Sequence, residues 1–344
     1  MKNFWTSLPK PFFALAPLED VTDAAFRRII AQKGKLARTD GSRGGPDVTF
    51  CEFTSADGLV LANENGQKKL RRKLLFSEIE RPVVAQFFTA YPEHMEKAAA
   101  IAAEMGFDGV DINMGCPDRA VEKGRCGAAM IKDPTLAREI IHAAKRGWKS
   151  VTPRGLTSGG MPVSVKTRLG YNTDQLEEWL PEVLAEQPAA ITLHARTRKE
   201  MSAVPARWER IKRAVEIRDA VQGVRGESSY KTLIIGNGDL KDIEDARSKI
   251  VSTGADGAML GRAIFGNPWL FADRKAAPTP QERIEALAEH IKLFDELLGD
   301  VQSFAVMKKH FKSYISGWDG AKELRARLME VTTADRGTRI LEDC

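Results

Sequence analysis

Cysteine is scarce in this chain, with four thiols in 344 residues. Cys51, Cys116, Cys126 and Cys344 have neither the density of a disulfide scaffold nor a paired C-x-x-C spacing for zinc. They read as reduced thiols, and no metal site is expected. Long apolar runs are missing too: none approaches the roughly 18 residues that cross a bilayer. The opening MKNFWTSLPKPFFALAP carries prolines through its short apolar part and lacks a small-residue cleavage site, so it does not read as a signal peptide. A cytoplasmic location with no membrane partner is the expectation. Aromatics stand at 7%, and the surplus of one charge sign is small, 52 Lys and Arg against 47 Asp and Glu, or +5. An ordinary solvated surface carries that much, so only clustering would turn it into a hint of an anionic partner. At 43% hydrophobic the chain is too apolar and too weakly charged for disorder.

What is present is an alternation. Short β-rich runs recur as FFALAP (12–17), VTFCEF (48–53), PVVAQF (82–87), GVDINM (109–114), PVSVKT (162–167), AITLHA (190–195), TLIIGN (232–237) and DGAML (256–260). Between them lie helical patterns, among them one from Asp23 and others over 93–105, 135–146, 174–186 and 240–250, each long enough to cross over between parallel strands. Eight such βα units in about 260 residues predict an α/β fold of the TIM (β/α)8 type. Three stretches rich in Gly, Ser and basic residues, 37–47, 147–160 and 220–227, are expected to be surface loops. After Trp269 the pattern changes to a KAAPTP linker and then helical patterns without strands. The division expected is a barrel over 1–273 and a small all-α C-terminal domain over 280–344, the whole a monomer.

In such a barrel the active site sits at the C-terminal ends of the strands. Those ends carry Pro17, Leu18 and Glu19; Glu52; Gln86; Asn113 with Cys116; Lys166 with Arg168; His194 with Arg196; Asn237, Gly238 and Asp239; and Gly261 with Arg262. A purely structural barrel needs no amide, thiol, lysine and imidazole at successive rim positions. The last two ends, IIGNGDL and MLGRAIFGNP, each run from an apolar strand through glycine into a helix start. Glycine permits close backbone approach, free N–H groups there attract phosphate, and this fold often places a phosphate site after its last two strands. Glycines that merely turn the chain would look the same at either end alone; two together, one with Arg262, favour phosphate.

The segment DGVDINMGCPDRAVEKGRCGAAMIKDP resembles the signature of the tRNA-dihydrouridine synthases. The likeness is carried by NMGCP (113–117) with GAAM after it, APLEDVTDAAFR (16–27), AQF (85–87), SVKTRLGY (164–171), LHART (193–197), NGD (237–239) and DGAMLGRAIFGNPWLF (256–271), and continues in MKKHFKSYISGW and ELRARLM. It departs at Leu18, where the family usually has methionine, and at Ala195, where glycine is common.

The resemblance implies an FMN enzyme that reduces particular uridines of tRNA to 5,6-dihydrouridine, with NADPH or NADH as the reductant. Asn237, Gly238, Asp239, Gly261 and Arg262 would hold the FMN phosphate, Lys166 the N1/O2 edge of the flavin, Gln86 its ring edge, and His194 both ring and phosphate. Pro17, Leu18 and Glu19 would pack along the ring. Hydride would add at C6 of the uracil and Cys116 would give the proton at C5, its unperturbed pKa of about 8.5 keeping the thiol protonated at neutral pH. Asn113 would pin the uracil amide edge, and Arg168 and Arg196 would reach the substrate. Cys51 reads as a small buried hydrophobe; Cys126 reads as a bystander thiol in the loop over the site.

A uracil in folded tRNA must be extruded to be reached, which calls for basic surface on either side of the cavity. QKKLRRK (67–73), RTRK after His194, and the stretch from Lys308 to Arg327 supply it, with Lys308, Lys309, Lys312 and Arg325 as the tail's candidates. Two other readings stand beside this one. The first is a dihydroorotate or dihydropyrimidine dehydrogenase-like FMN barrel acting on a free pyrimidine; the second is a tRNA-binding protein whose barrel has lost catalysis.

Overall fold

The computed structural model describes residues 3–35, 44–151, 161–223, 231–272, 274 and 276–343. One sheet contains β1 (Phe12–Leu15), β2 (Val48–Phe50), β3 (Thr54–Ser55), β4 (Val83–Phe88), β5 (Gly109–Met114), β6 (Val163–Arg168), β7 (Ala190–His194), β8 (Leu233–Asn237) and β9 (Gly257–Leu260). Every pairing is parallel, and β2 pairs with both β1 and β4, so the sheet closes through eight strands. The TIM barrel is formed, with the eight expected strands as its staves. The short β3 lies along β4, opposite Phe87 and Phe88; two residues show no period and gave no signal.

The strands are buried on both faces because one set of side chains points into the barrel and the alternate set meets the helices. Phe12, Ala14, Val48, Phe50, Val84, Leu233, Ile235 and Met259 form the inner cluster, whereas Phe13, Leu15, Val83 and Ala85 join the outer one. The N-terminal end of the barrel is stoppered by a short 3-10 turn, Phe4–Ser7, which Asn3 caps by accepting from the Trp5 amide. Trp5 is buried, its ring centroid 6.2 Å from Phe12 and 6.3 Å from Phe50, and Phe4 lies beside Gly109 at the start of β5.

Two expected loops are shorter than anticipated. The helix Pro134–Val151 runs through the first five residues of the stretch 147–160, and Trp208–Gly223 through the first four of 220–227. In the first, Trp148 continues the apolar stripe of Ile140, Ile141 and Ala144 into the core, and that burial outweighs the helix-breaking tendency of Gly147. In the second, Gln222 exchanges hydrogen bonds with Thr232, both 2.9 Å. Residues 37–43, 152–160 and 224–227 of these expected loops lie outside the described residues.

Beyond the barrel come the helices Pro280–Leu298, Lys308–Tyr314, Ala321–Met329 and Ala334–Glu342. The first opens with a capping box between Thr279 and Glu282. It packs against the barrel's helix Ala24–Gly34: the rings of Phe26 and His290 stack at 5.0 Å, and His310 meets both edge-on at 4.8 and 4.6 Å. Burial pushes the His290 imidazole well below its ordinary range and His310 to about 4, so both rings are neutral and pack as aromatics. Among the described residues no helix is long and apolar enough to cross a membrane.

Gly147 sets how closely two barrel helices approach, since a Cβ there would lie 1.9 Å from the carbonyl oxygen of Glu96. In an open helix interior Gly→Ala gains up to about 1 kcal/mol. Here Gly147→Ala is expected to cost about 1–3 kcal/mol through forced separation, read as a lower urea midpoint; a raised midpoint would contradict the close approach.

Candidate active site

At the C-terminal ends of the strands a cavity of about 670 Å³ opens. Pro17, Leu18 and Glu19 after β1, Gln86 on β4, Asn113 on β5 and Cys116 after it, Lys166 and Arg168 on β6, His194 on β7, Asn237 ending β8 with Gly238 and Asp239 after it, and Gly261 and Arg262 after β9 all line it. Arg196 does not, and neither do Lys308, Lys309, Lys312 and Arg325.

One wall is built from the ends of β8 and β9. The Asn237 amide donates to the Met259 carbonyl at 2.8 Å, tying the strands at their tips. The chain then turns sharply, with Gly238 at φ +128° and Asp239 at φ +51°. A Cβ on Gly238 would come within 2.8 Å of Ala206 and 3.2 Å of the His194 ring, so this position demands glycine on two counts. The Asp239 carboxylate accepts from Arg262 at 2.7 Å, from the Ala206 amide at 2.9 Å, and from Arg196. Partial burial works against ionisation, but those donors hold the carboxyl below its usual range. Asp239 is thus occupied by protein donors, and it aims Arg262, whose side chain remains 64% exposed at the rim.

Behind this wall Arg196 is buried, donating to the Val204 carbonyl at 2.6 Å and to His194 Nε2 at 3.2 Å besides Asp239. An arginine can only donate, so Nε2 is the acceptor and a neutral ring carries its proton on Nδ1. The ring is neutral: burial first, then Arg168, Lys166, Arg196 and Arg262, push His194 down to about 2. Lys166 is pushed to about 8 by burial and Arg168, offset in part by Asp111 and Cys116. Arg168 clamps two loops, donating to Gly115 at 2.7 Å and Thr197 at 3.1 Å, and burial lowers it to about 10. Such a concentration of cations fits an anionic, phosphate-bearing ligand.

The opposite chemistry sits on the β5 loop. Asn113 accepts from the amides of Gly115 (3.1 Å) and Cys116 (2.9 Å), folding a tight turn that presents the thiol. The Cys116 carbonyl accepts from Ala128 at 2.9 Å. Burial pushes the Cys116 thiol up, so it is protonated at neutral pH. Asn113 donates in turn to Gln86 at 3.2 Å, and Gln86 to Asp111 at 2.6 Å. Asp111, which the sequence reading passed over, is fully buried beneath the cavity, and burial raises it to about 6. Its signal was a carboxylate inside the apolar strand GVDINM, which burial permits only with partners.

Cys51 is fully buried, its thiol pushed up to about 12. Cys126 is buried too, donating to Gly124 at 3.1 Å, and stays off the cavity lining. At the rim, Glu19 accepts from Lys73 at 2.6 Å, and Asp20 from the tail's Lys309 at 2.7 Å. Lys73 ends the basic helix Glu64–Lys73, from which Arg72 reaches Asp300 at 3.0 Å. In the tail Lys312 is exposed and Lys308 half-buried, while Arg325 is half-buried and donates to the Ile315 carbonyl at 3.0 Å.

Comparison with known proteins agrees with this geometry. The family model described as Dihydrouridine synthase (Dus) matches residues 14–344. A Staphylococcus aureus (strain COL) protein named "Probable tRNA-dihydrouridine synthase" is 38% identical over 344 residues, covering 99% of this chain and 95% of the relative. A Bacillus subtilis (strain 168) protein named "Probable tRNA-dihydrouridine synthase 2" is also 38% identical, covering 99% and 96%.

The desolvation of the half-buried Lys166 has a measurable consequence. Its pKa falls from 10.5 unfolded to about 8 folded, so between these values the unfolded chain binds more protons and stability rises with pH. In cofactor-free protein Lys166→Met is expected to stabilise by about 1–3 kcal/mol at pH 7, and the gain should shrink as pH rises toward 10. Urea unfolding of both proteins at several pH values checks it; a gain that does not vary with pH would show that Lys166 is not desolvated.

Proposed function

The chain belongs to the dihydrouridine synthase family, and from that premise we propose that it reduces uridines of tRNA to 5,6-dihydrouridine with FMN as its cofactor. The observation that carries the reading is a protonated thiol, Cys116, in the same cavity as a cluster of cations that Asp239 and Asp111 only partly compensate. The FMN phosphate would rest on the Gly238 and Gly261 backbones and on Arg262, with Asp239 acting as the brace that aims the guanidinium. Neutral His194 has its Nδ1–H free of the Arg196 contact and offers it as a donor. Lys166 would stand by the N1/O2 edge, and Gln86 has a second amide hydrogen for the ring.

When bound, FMN supplies the hydride that reaches C6 of the uracil, and NADPH or NADH is the proposed source of its electrons. The remaining tasks fall to side chains. Cys116 gives a proton to C5, and its raised pKa keeps that proton in place until charge develops on the pyrimidine. The thiolate left behind is stabilised by Lys166 and Arg168, both electrostatically coupled to it. Asn113 has one amide hydrogen left for the uracil edge. Arg168 acts by clamping the Cys116 loop, and Arg196 by fixing Asp239 and His194.

A base in folded tRNA has to leave its stack to enter this cavity, and phosphate contacts on the surrounding surface repay that cost. The basic helix Glu64–Lys73 lies beside the rim, and the helical segment 280–343 is joined to that helix through Asp300 and to the rim through Lys309 and Asp20. We assign the tRNA-holding role to these two elements, with Lys308 and Lys312 as tail cations.

Purified protein should be yellow. Cys116→Ala is expected to keep the flavin spectrum while dihydrouridine formation on tRNA falls by about 10²–10⁴-fold, measured by mapping the modified base in tRNA incubated with each protein. A colourless wild type, or a fully active Cys116→Ala, would overturn the assignment.

A further inference from the structure

Asp111 does not itself line the cavity and has no ligand contact assigned to it above, yet it is fully buried and anchors two strands besides its own. Its position in β5 is in register with Gln86 on β4 and Ser164 on β6. One carboxylate oxygen accepts from Gln86 Nε2 at 2.6 Å and the other from Ser164 Oγ at 2.6 Å.

We propose that Asp111 is a positioning residue that sets the direction of a hydrogen-bond relay ending at the backbone of Cys116. The reasoning is one of donors and acceptors. An ionised carboxylate can only accept, so the Gln86 amide must turn its NH₂ toward Asp111 and its oxygen toward Asn113. That oxygen fixes Asn113 in turn: its NH₂ faces Gln86 at 3.2 Å, leaving Oδ1 for the amides of Gly115 and Cys116. Were either amide to flip, the Asn113 NH₂ would face two N–H groups and the turn presenting the thiol would open. A side-chain amide has no intrinsic preference between its two orientations; an acceptor-only residue at the far end supplies one. The role rests on the reading of Cys116 as proton donor, although the relay itself does not.

The test compares Asp111→Ala, Asp111→Asn and Gln86→Leu in the full flavin-loaded chain. An asparagine at 111 can offer its oxygen to Gln86 and its NH₂ to the Ser164 oxygen, so it preserves the relay's direction without the charge. Alanine or Gln86→Leu cuts it. Cys116 alkylation by iodoacetamide, followed by peptide mass spectrometry, should accelerate about fivefold in Asp111→Ala and in Gln86→Leu as the turn opens locally. In Asp111→Asn it should stay within about twofold of wild type. The Asp111→Ala and Gln86→Leu double variant should match either single one, since both cut the same chain. Turnover on tRNA should fall about tenfold in kcat for Asp111→Ala with KM little changed, and recover in Asp111→Asn.

Equal alkylation rates in the alanine and asparagine variants, or multiplying effects in the double variant, would overturn the relay. Should Asp111→Ala not fold, Gln86→Leu against Asp111→Asn makes the same comparison. If the wild type forms no dihydrouridine, the functional reading fails, while the alkylation rates still decide whether Asp111 orients the loop.

Discussion

Cations that have been taken out of water without enough counter-charge govern this molecule's working end. Lys166, Arg168 and Arg196 gather around His194 with the exposed Arg262 at the rim, and Asp239 is the carboxylate that pairs with Arg196 and Arg262. Burial makes the free protein hold this charge at a cost, and an anion entering the cavity would relieve it. Burial and this arrangement explain why the imidazole is neutral, why the lysine titrates low, and why Arg168 and Arg196 are braced by backbone carbonyls. A preorganised field of this kind needs no rearrangement when charge arrives, which is the property a site for redox chemistry on an anionic cofactor requires.

The same cavity holds the acid that the proposed reaction calls for. The half-buried Cys116 thiol stays protonated, while the neighbouring cations make its conjugate base tolerable. Burial and charge pull in opposite directions on that one group, and the balance leaves the proton present yet transferable. Precision in its placement comes from below, through amides and one buried carboxylate, and from the side, through the Arg168 clamp on the Gly115 carbonyl.

How much of this could be read from the sequence depends on how locally each feature is specified. The eight strands were legible because short β-rich runs alternate with helical patterns, and the rim residues followed because the fold dictates where strands end. Arg196 looked like a substrate contact since it follows His194, but position in a strand-end motif does not reveal whether a long side chain folds back, and it turns behind the wall to Asp239. Arg325 sits in a basic stretch, but a neighbouring helix's terminal carbonyl claims its guanidinium. Asp111 was missed because its meaning lies in register with two other strands. The helix through Gly147 was missed because a glycine's cost is local while the burial of Trp148 is tertiary. The role of Trp5 had no local signal at all, being fixed by Phe12 and Phe50 from two different strands.

That stopper makes the barrel a blind well. With Trp5 and Phe4 closing the far end and side chains filling the barrel above them, the ring of charged residues is reached, among the described residues, from the strand-end side. Under the proposed function, a nicotinamide that recharges the cofactor and a nucleobase that discharges it would share that doorway, and the two half-reactions would follow one another in time.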